Sequence, residues 1–199
     1  MHLNFKHARI NNKKEEKGLS LIESAMVLAL AATVTAGVMF YYQSAADSNK
    51  TQSAISEVMS ATSAINGLYI GQSDYTGLSE RVLINSSAIP DNYKDRPTNK
   101  IRNPFGGELN VQPKGNGSGF GYYITLNGLP KSACVSLATL NLGTSAAGYG
   151  VNISTPADNT VFQDTAASGR AKNSPISPSE AATSCGNDNN TNTVTYFMK

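Results

Sequence analysis

The feature that most constrains this chain is a run of 19 residues without a charge, Ser24 to Tyr42, directly behind a basic segment and entered by a single acid, Glu23. Coiled as a helix at about 1.5 Å per residue, the run is roughly 28 Å long, enough to cross the hydrocarbon core of a bilayer. Positive flanks stay on the cytoplasmic side of a membrane. The leader carries Lys6, Arg9, Lys13, Lys14 and Lys17 against Glu15 and Glu16, so the predicted orientation puts everything after Tyr42 outside. Ser44-Ala45-Ala46 offers the small residues of an ordinary secretory cleavage site. The apolar run before it is longer than the usual 7 to 15 residues, and Glu23 near its start fits that reading poorly.

Glu23 is the anomaly of the stretch. An unpaired carboxylate at membrane depth costs about 2 to 4 kcal/mol, which makes it a candidate functional group with a partner to be found. If the chain is cut after Gly18, the new amine of Leu19 lies four residues before Glu23, on the same helical face and at the positive end of the helix dipole. In an assembly of copies that amine is the natural counter-ion for a neighbour's Glu23. The bland alternative is a carboxylate that stays hydrated at the headgroup level.

These residues resemble the prepilins of type IV pili, whose signal is a basic leader, Gly before the cut, an apolar first mature residue, Glu in the fifth place and a long apolar helix. Gly18, Leu19, Glu23 and the segment to Tyr42 match it one by one. The 18-residue leader and Leu19, where the commoner class has a very short leader and Phe, are similar to the type IVb class. The run from Leu19 to about Gly71, the stretch Asn103-Pro104-Phe105-Gly106-Gly107 and the last residues Val194 to Lys199 are similar to the longus and colonisation-factor major pilins of enterotoxigenic Escherichia coli.

The resemblance implies an α+β pilin fold and a set of events done to the chain. A prepilin peptidase hydrolyses the Gly18-Leu19 bond and the Leu19 amine is methylated. The pilus assembly machinery and a minor pilin then build copies into a helical filament, a homo-oligomer. The prepilin resides in the inner membrane and the product is an extracellular pilus that contacts the host cell surface in adhesion, aggregation and colonisation. The motif does not separate pilins from the pseudopilins of type II secretion systems. A membrane-anchored periplasmic enzyme or binding protein is a further reading, which would keep an intact N-terminus.

Three segments follow: a leader over 1–18, a long helix over 19–70 with 19–42 as its membrane or filament-core half, and a globular head over 71–199. Past Tyr42 the helical period continues through Ile55, Val58, Met59, Thr62, Ile65 and Tyr69, with Ser56, Glu57 and Ser60 as the polar residues between them. Gly67 and Gly71 end the helix. Residues 72–107 read as a polar loop region with a short docking helix around Leu78, Val82, Leu83, Ile84 and Ile89. A hairpin follows, Glu108 to Val111 and Phe120 to Leu126. A short helix over Ala133 to Leu140 has Pro130 at its start. Tyr149 to Ile153 is a strand candidate, and 154–173 a long loop with an uncertain strand near Val161-Phe162. Ser177-Pro178-Ser179-Glu180 has the form of a capping box opening a helix to Cys185. Val194 to Met198, apolar on both faces, is predicted to be a central strand.

Charge and cysteines limit the function classes. Of 16 basic and 14 acidic residues, 11 basic and 12 acidic follow Gly18, a balance that argues against a nucleic-acid partner. Cys134 and Cys185 both fall on the predicted outer side, where disulfides persist, and are expected to pair. The alternatives, two free thiols or a metal site, are weakened because both histidines, His2 and His7, are in the leader. Without a mature-chain histidine no Ser-His-Asp or Cys-His set exists, so no enzyme, no cofactor and no metal are expected. The glycines from Gly115 to Gly121 match no nucleotide-loop spacing and read as a hairpin turn. Asn187 to Thr191 reads as a solvated turn rather than a calcium loop.

Overall fold

A computed structural model describes residues 20–115, 120–159 and 161–199. Two compact units meet between Ser44 and Ala45. Helix α1 runs Leu21–Leu68, 48 residues, and supplies the described part of the first unit. That part is free of proline and rich in alanine, the best helix former. Its hydroxyls do not compete with the helix but fold back on it. Thr35 donates to the Ala31 carbonyl at 2.7 Å and Thr33 to the Ala29 carbonyl at 3.2 Å. A helix satisfied in this way shows no orphan donor to apolar surroundings.

In the second unit, the last turns of α1 bury Ala54, Glu57, Val58, Ala61 and Ile65. Ala54, Val58, Ala61 and Ile65 join one core cluster with Leu83, Ile101, Leu109, Val111, Ile124, Leu126 and Tyr196. Met59, expected on the packing face, is exposed, and Glu57, expected among the polar residues, is buried. The packing stripe is therefore rotated by about one residue, roughly 100° around the helix, because the small Ala54 and Ala61 rather than Met59 face the head.

The head is an eight-stranded sheet in the order β1-β2-β3-β4-β8-β5-β7-β6. Its strands are β1 Lys94–Asp95, β2 Lys100–Arg102, β3 Glu108–Pro113, β4 Tyr122–Leu129, β5 Ala146–Val151, β6 Phe162–Gln163, β7 Ala171–Lys172 and β8 Asn192–Met198. All neighbours are antiparallel except β6 and β7. That parallel pair is a two-residue edge on an otherwise antiparallel sheet. Strand β8 lies between β4 and β5, and its alternation explains why its last residues are apolar on both faces. Val194, Tyr196 and Met198 enter the main core, while Phe197 packs with Phe120, Tyr123 and Ala171 in a second cluster.

Residues 72–107 are more regular than expected. They hold helix α2, Glu80–Ile84, a single 3-10 turn at Asp91–Tyr93, and both β1 and β2. The two strands are too short to show a pattern in the sequence: β2 buries the single apolar Ile101 between Lys100 and Arg102, and charge pairs flank it, Lys100 to Glu108 at 2.6 Å and Arg102 to Asp95 at 3.1 Å. The turn after β2 is organised by the buried Asn103, whose Oδ1 accepts from the amides of Phe105 and Gly107 while Nδ2 donates to the Asn127 carbonyl. A Cβ on Gly107 would run into that same carbonyl. Helix α3, Lys131–Ala138, has Pro130 at its cap and not inside its first turn. Helix α4 is Pro178–Ser184.

Candidate assembly site

Along α1 the residues from Leu21 to Tyr42 include twelve large apolar side chains, each at least 60% exposed. By length and composition the helix could cross a membrane, and none of its most apolar window is buried within the fold. Burying one such side chain contributes roughly 1.5 to 3 kcal/mol. The surface thus stands to gain on the order of 20 kcal/mol from lipid or from other copies.

At the start of this helix the carbonyl of Ser20 accepts from the Ser24 amide at 3.0 Å, which makes Ser20 the cap residue. Glu23 Oε2 accepts from the Ser20 amide, also at 3.0 Å. This is one half of a capping box. The pattern Ser-x-x-Glu at Ser20 to Glu23 could have shown it, as it did for Ser177 to Glu180. Glu23 is exposed, so the local cap leaves its second oxygen open to an outside partner. Gly18 and Leu19 lie outside the described residues.

In the head, Cys134 of α3 and Cys185 at the end of α4 are bonded, with Cα atoms 5.9 Å apart and 51 residues between them in sequence. Both are buried. The helix behind Cys185 is fastened by its acid. Glu180 accepts from the Ser177 amide and hydroxyl, from the Ala166 amide and from Lys172 Nζ at 2.8 Å, and the Ser177 hydroxyl accepts from the Glu180 amide. The Lys172 ammonium, and next the Ser177 amide, hold its carboxyl down at about 2. A carboxylate depressed in the fold contributes stability above the ordinary carboxylate range, and that contribution is lost as pH falls through about 2. Glu180→Ala is expected to destabilise the head by about 1 to 2 kcal/mol at neutral pH. A urea midpoint equal to wild type at unchanged slope would contradict this.

A further acid was not singled out from the sequence. Glu57, facing inward from α1, is 3% exposed and neither carboxylate oxygen has a hydrogen-bond partner among the described residues. Burial raises its carboxyl to about 8. The sign is opposite to that of Glu180: the group is least costly to the fold below the ordinary carboxylate range, and stability is lost as pH rises toward 8. Among the described residues no group of three or more His, Cys, Asp or Glu could hold a metal ion.

A sequence model of the bundlin family matches residues 43–199. The chain belongs to the bundlin family. Two relatives from Escherichia coli, one from O111:H- and one from O127:H6 (strain E2348/69 / EPEC), are each described as the major structural subunit of bundle-forming pilus. Each is 70% identical over 192 residues, 96% of this chain and 99% of the relative. The crystal structure of a type IVb pilin from Salmonella typhi matches with a TM-score of 0.55 at 24% identity, covering 74% of this chain and 98% of that one. At that identity the likeness speaks for the fold, which is the α+β pilin fold with one disulfide.

This bundlin-family chain is thus a pilin by family and fold, a structural protein and not an enzyme. The relatives named above are described as bundle-forming pilus subunits. The bundlin head brings Cys134 and Cys185 together. Glu23 stands at the start of the apolar helix, and Gly18 and Leu19 remain beyond the described residues.

Proposed function

We propose that the chain is the major structural subunit of a type IVb pilus. The observation that carries this is the helix from Leu21 to Tyr42, whose large apolar side chains have no partner within the fold. Lipid covers them first, with the basic leader held on the cytoplasmic side of the inner membrane. Prepilin peptidase then cuts between Gly18 and Leu19, and the Leu19 amine is methylated. Glycine before the cut has no side chain to obstruct an extended backbone in a protease cleft. The assembly machinery, starting on a minor pilin, moves the helix from lipid into a bundle of its own kind. Glu23 of each copy meets the Leu19 amine of the next and fixes the axial register. The resulting extracellular filament serves adhesion, aggregation and contact with host cells.

Electron microscopy of surface filaments labelled with antibody to this chain tests the proposal. Dense labelling along the shaft is expected, and filaments that stay unlabelled would overturn it. Gly18→Asp is expected to block maturation, leaving the longer precursor in the membrane. A mature-sized product from that variant on a gel would rule out this cleavage site.

A further inference from the structure

The inward face of α1 carries a buried acid that no other described residue answers. Glu57 sits between Ala54 and Ala61 on the buried stripe, 3% exposed, with both oxygens unpartnered. It lines a half-open cavity of about 220 Å³ together with Ser53, Ser56, Ser60, Ala88 and Tyr93. Three of these bring serine hydroxyls and Tyr93 a phenol, acceptors that suit an ammonium group. The nearest cation on the facing segment, Lys94, is already bound to Asp91 at 3.1 Å and to the Ser86 carbonyl. A buried carboxylate without a counter-ion is unfavourable, and a cation entering from outside would reverse that balance.

We propose that this cavity is a docking site for Lys50 of a second copy of the chain, the adjacent subunit in the filament. The inference rests on the filament reading above. Lys50 is exposed and makes no ion pair among the described residues of its own copy. It lies seven residues before Glu57 on the same helix. Parallel copies staggered by about 10 Å, seven residues of helical rise, bring Lys50 of one level with Glu57 of the next. Most other cations are committed: Lys100, Arg102, Lys131 and Lys172 are each in an ion pair. Arg81, Lys114, Arg170 and Lys199 are not on α1. The unpaired acid is therefore half of a contact that forms only on assembly.

The test uses the full chain in pilus-producing cells, comparing the yield of sheared filaments with the amount of pilin in the membrane. Glu57→Gln keeps the shape and removes only the capacity to ionise against an incoming cation, so pilin level is expected to be unchanged. Filament yield is expected to fall about tenfold, as it is for Lys50→Gln. The charge-reversed pair, Glu57→Lys with Lys50→Glu, is expected to assemble at least about tenfold better than either reversal alone. Normal filament yield from both neutral variants overturns the proposal. So does a reversed pair no better than its worse single, or rescue of Glu57→Lys by Arg81→Glu instead of Lys50→Glu. Absence of filaments from the wild-type chain would instead sink the filament reading, so the two failures are distinct.

Discussion

Replacing Glu23 by alanine is expected to give a pilin that is cut and inserted normally but yields almost no filament. Two roles of the carboxylate are separable. As a cap it accepts from the Ser20 amide at 3.0 Å, worth about 1 kcal/mol to the helix start. As a charge in an apolar bundle it is worth about 2 to 4 kcal/mol, depending on whether a neighbour's amine neutralises it. Glu23→Gln keeps an oxygen for the Ser20 amide and loses the charge. On the present account both variants lose filaments, because the pairing with the next subunit's Leu19 amine is gone in each. Abundant pili from Glu23→Gln, with few from Glu23→Ala, would assign Glu23 to capping and remove its role in register.

The second large effect is expected from the disulfide. Cys134 and Cys185 close a loop with a sequence separation of 51, which in the chain-entropy model stabilises the fold by about 4 kcal/mol. A domain of this size has roughly 5 to 15 kcal/mol in all, so the bridge is a large part of the margin. Cys134→Ser, Cys185→Ser, or reduction of the wild type should each lower the unfolding midpoint of the full-length pilin in detergent by about 8 to 16 °C. The variants should also be depleted from cells. The bridge joins α3 to the end of α4. Tyr196 ties the same α3 to the central strand by donating to the Leu137 carbonyl at 2.7 Å. A midpoint within about 2 °C of wild type would show that this corner of the head is held by packing alone.

What the sequence makes legible in this fold is what repeats with a regular period. The uncharged run to Tyr42 and the alternating Val194 to Met198 each carry a pattern set by local geometry, and both elements are where the pattern puts them. Ser177 and Glu180 work the same way, since a capping box depends on residues three apart. Strands β1, β2, β6 and β7 have two or three residues each. Cross-strand partners distant in sequence decide such strands, and no local pattern reports them.

Glu57 escaped for a related reason. Ile55, Val58, Met59 and Ile65 define an apolar stripe almost as good as the observed one. The choice between them depends on how closely the helix backbone approaches the head, which Ala54 and Ala61 permit. The candidate site divides in the same way. Glu23 is marked by its isolation in an apolar run, whereas a buried acid on an otherwise mixed helix face looks like solvated surface until the head is placed over it.

The most direct test of the central claim is the intact mass of the subunit recovered from sheared, purified filaments. The account predicts a chain that starts at Leu19, has its disulfide closed, and carries one added methyl group on the Leu19 amine. A subunit still bearing residues 1–18, or purified filaments that contain no product of this chain, would contradict it.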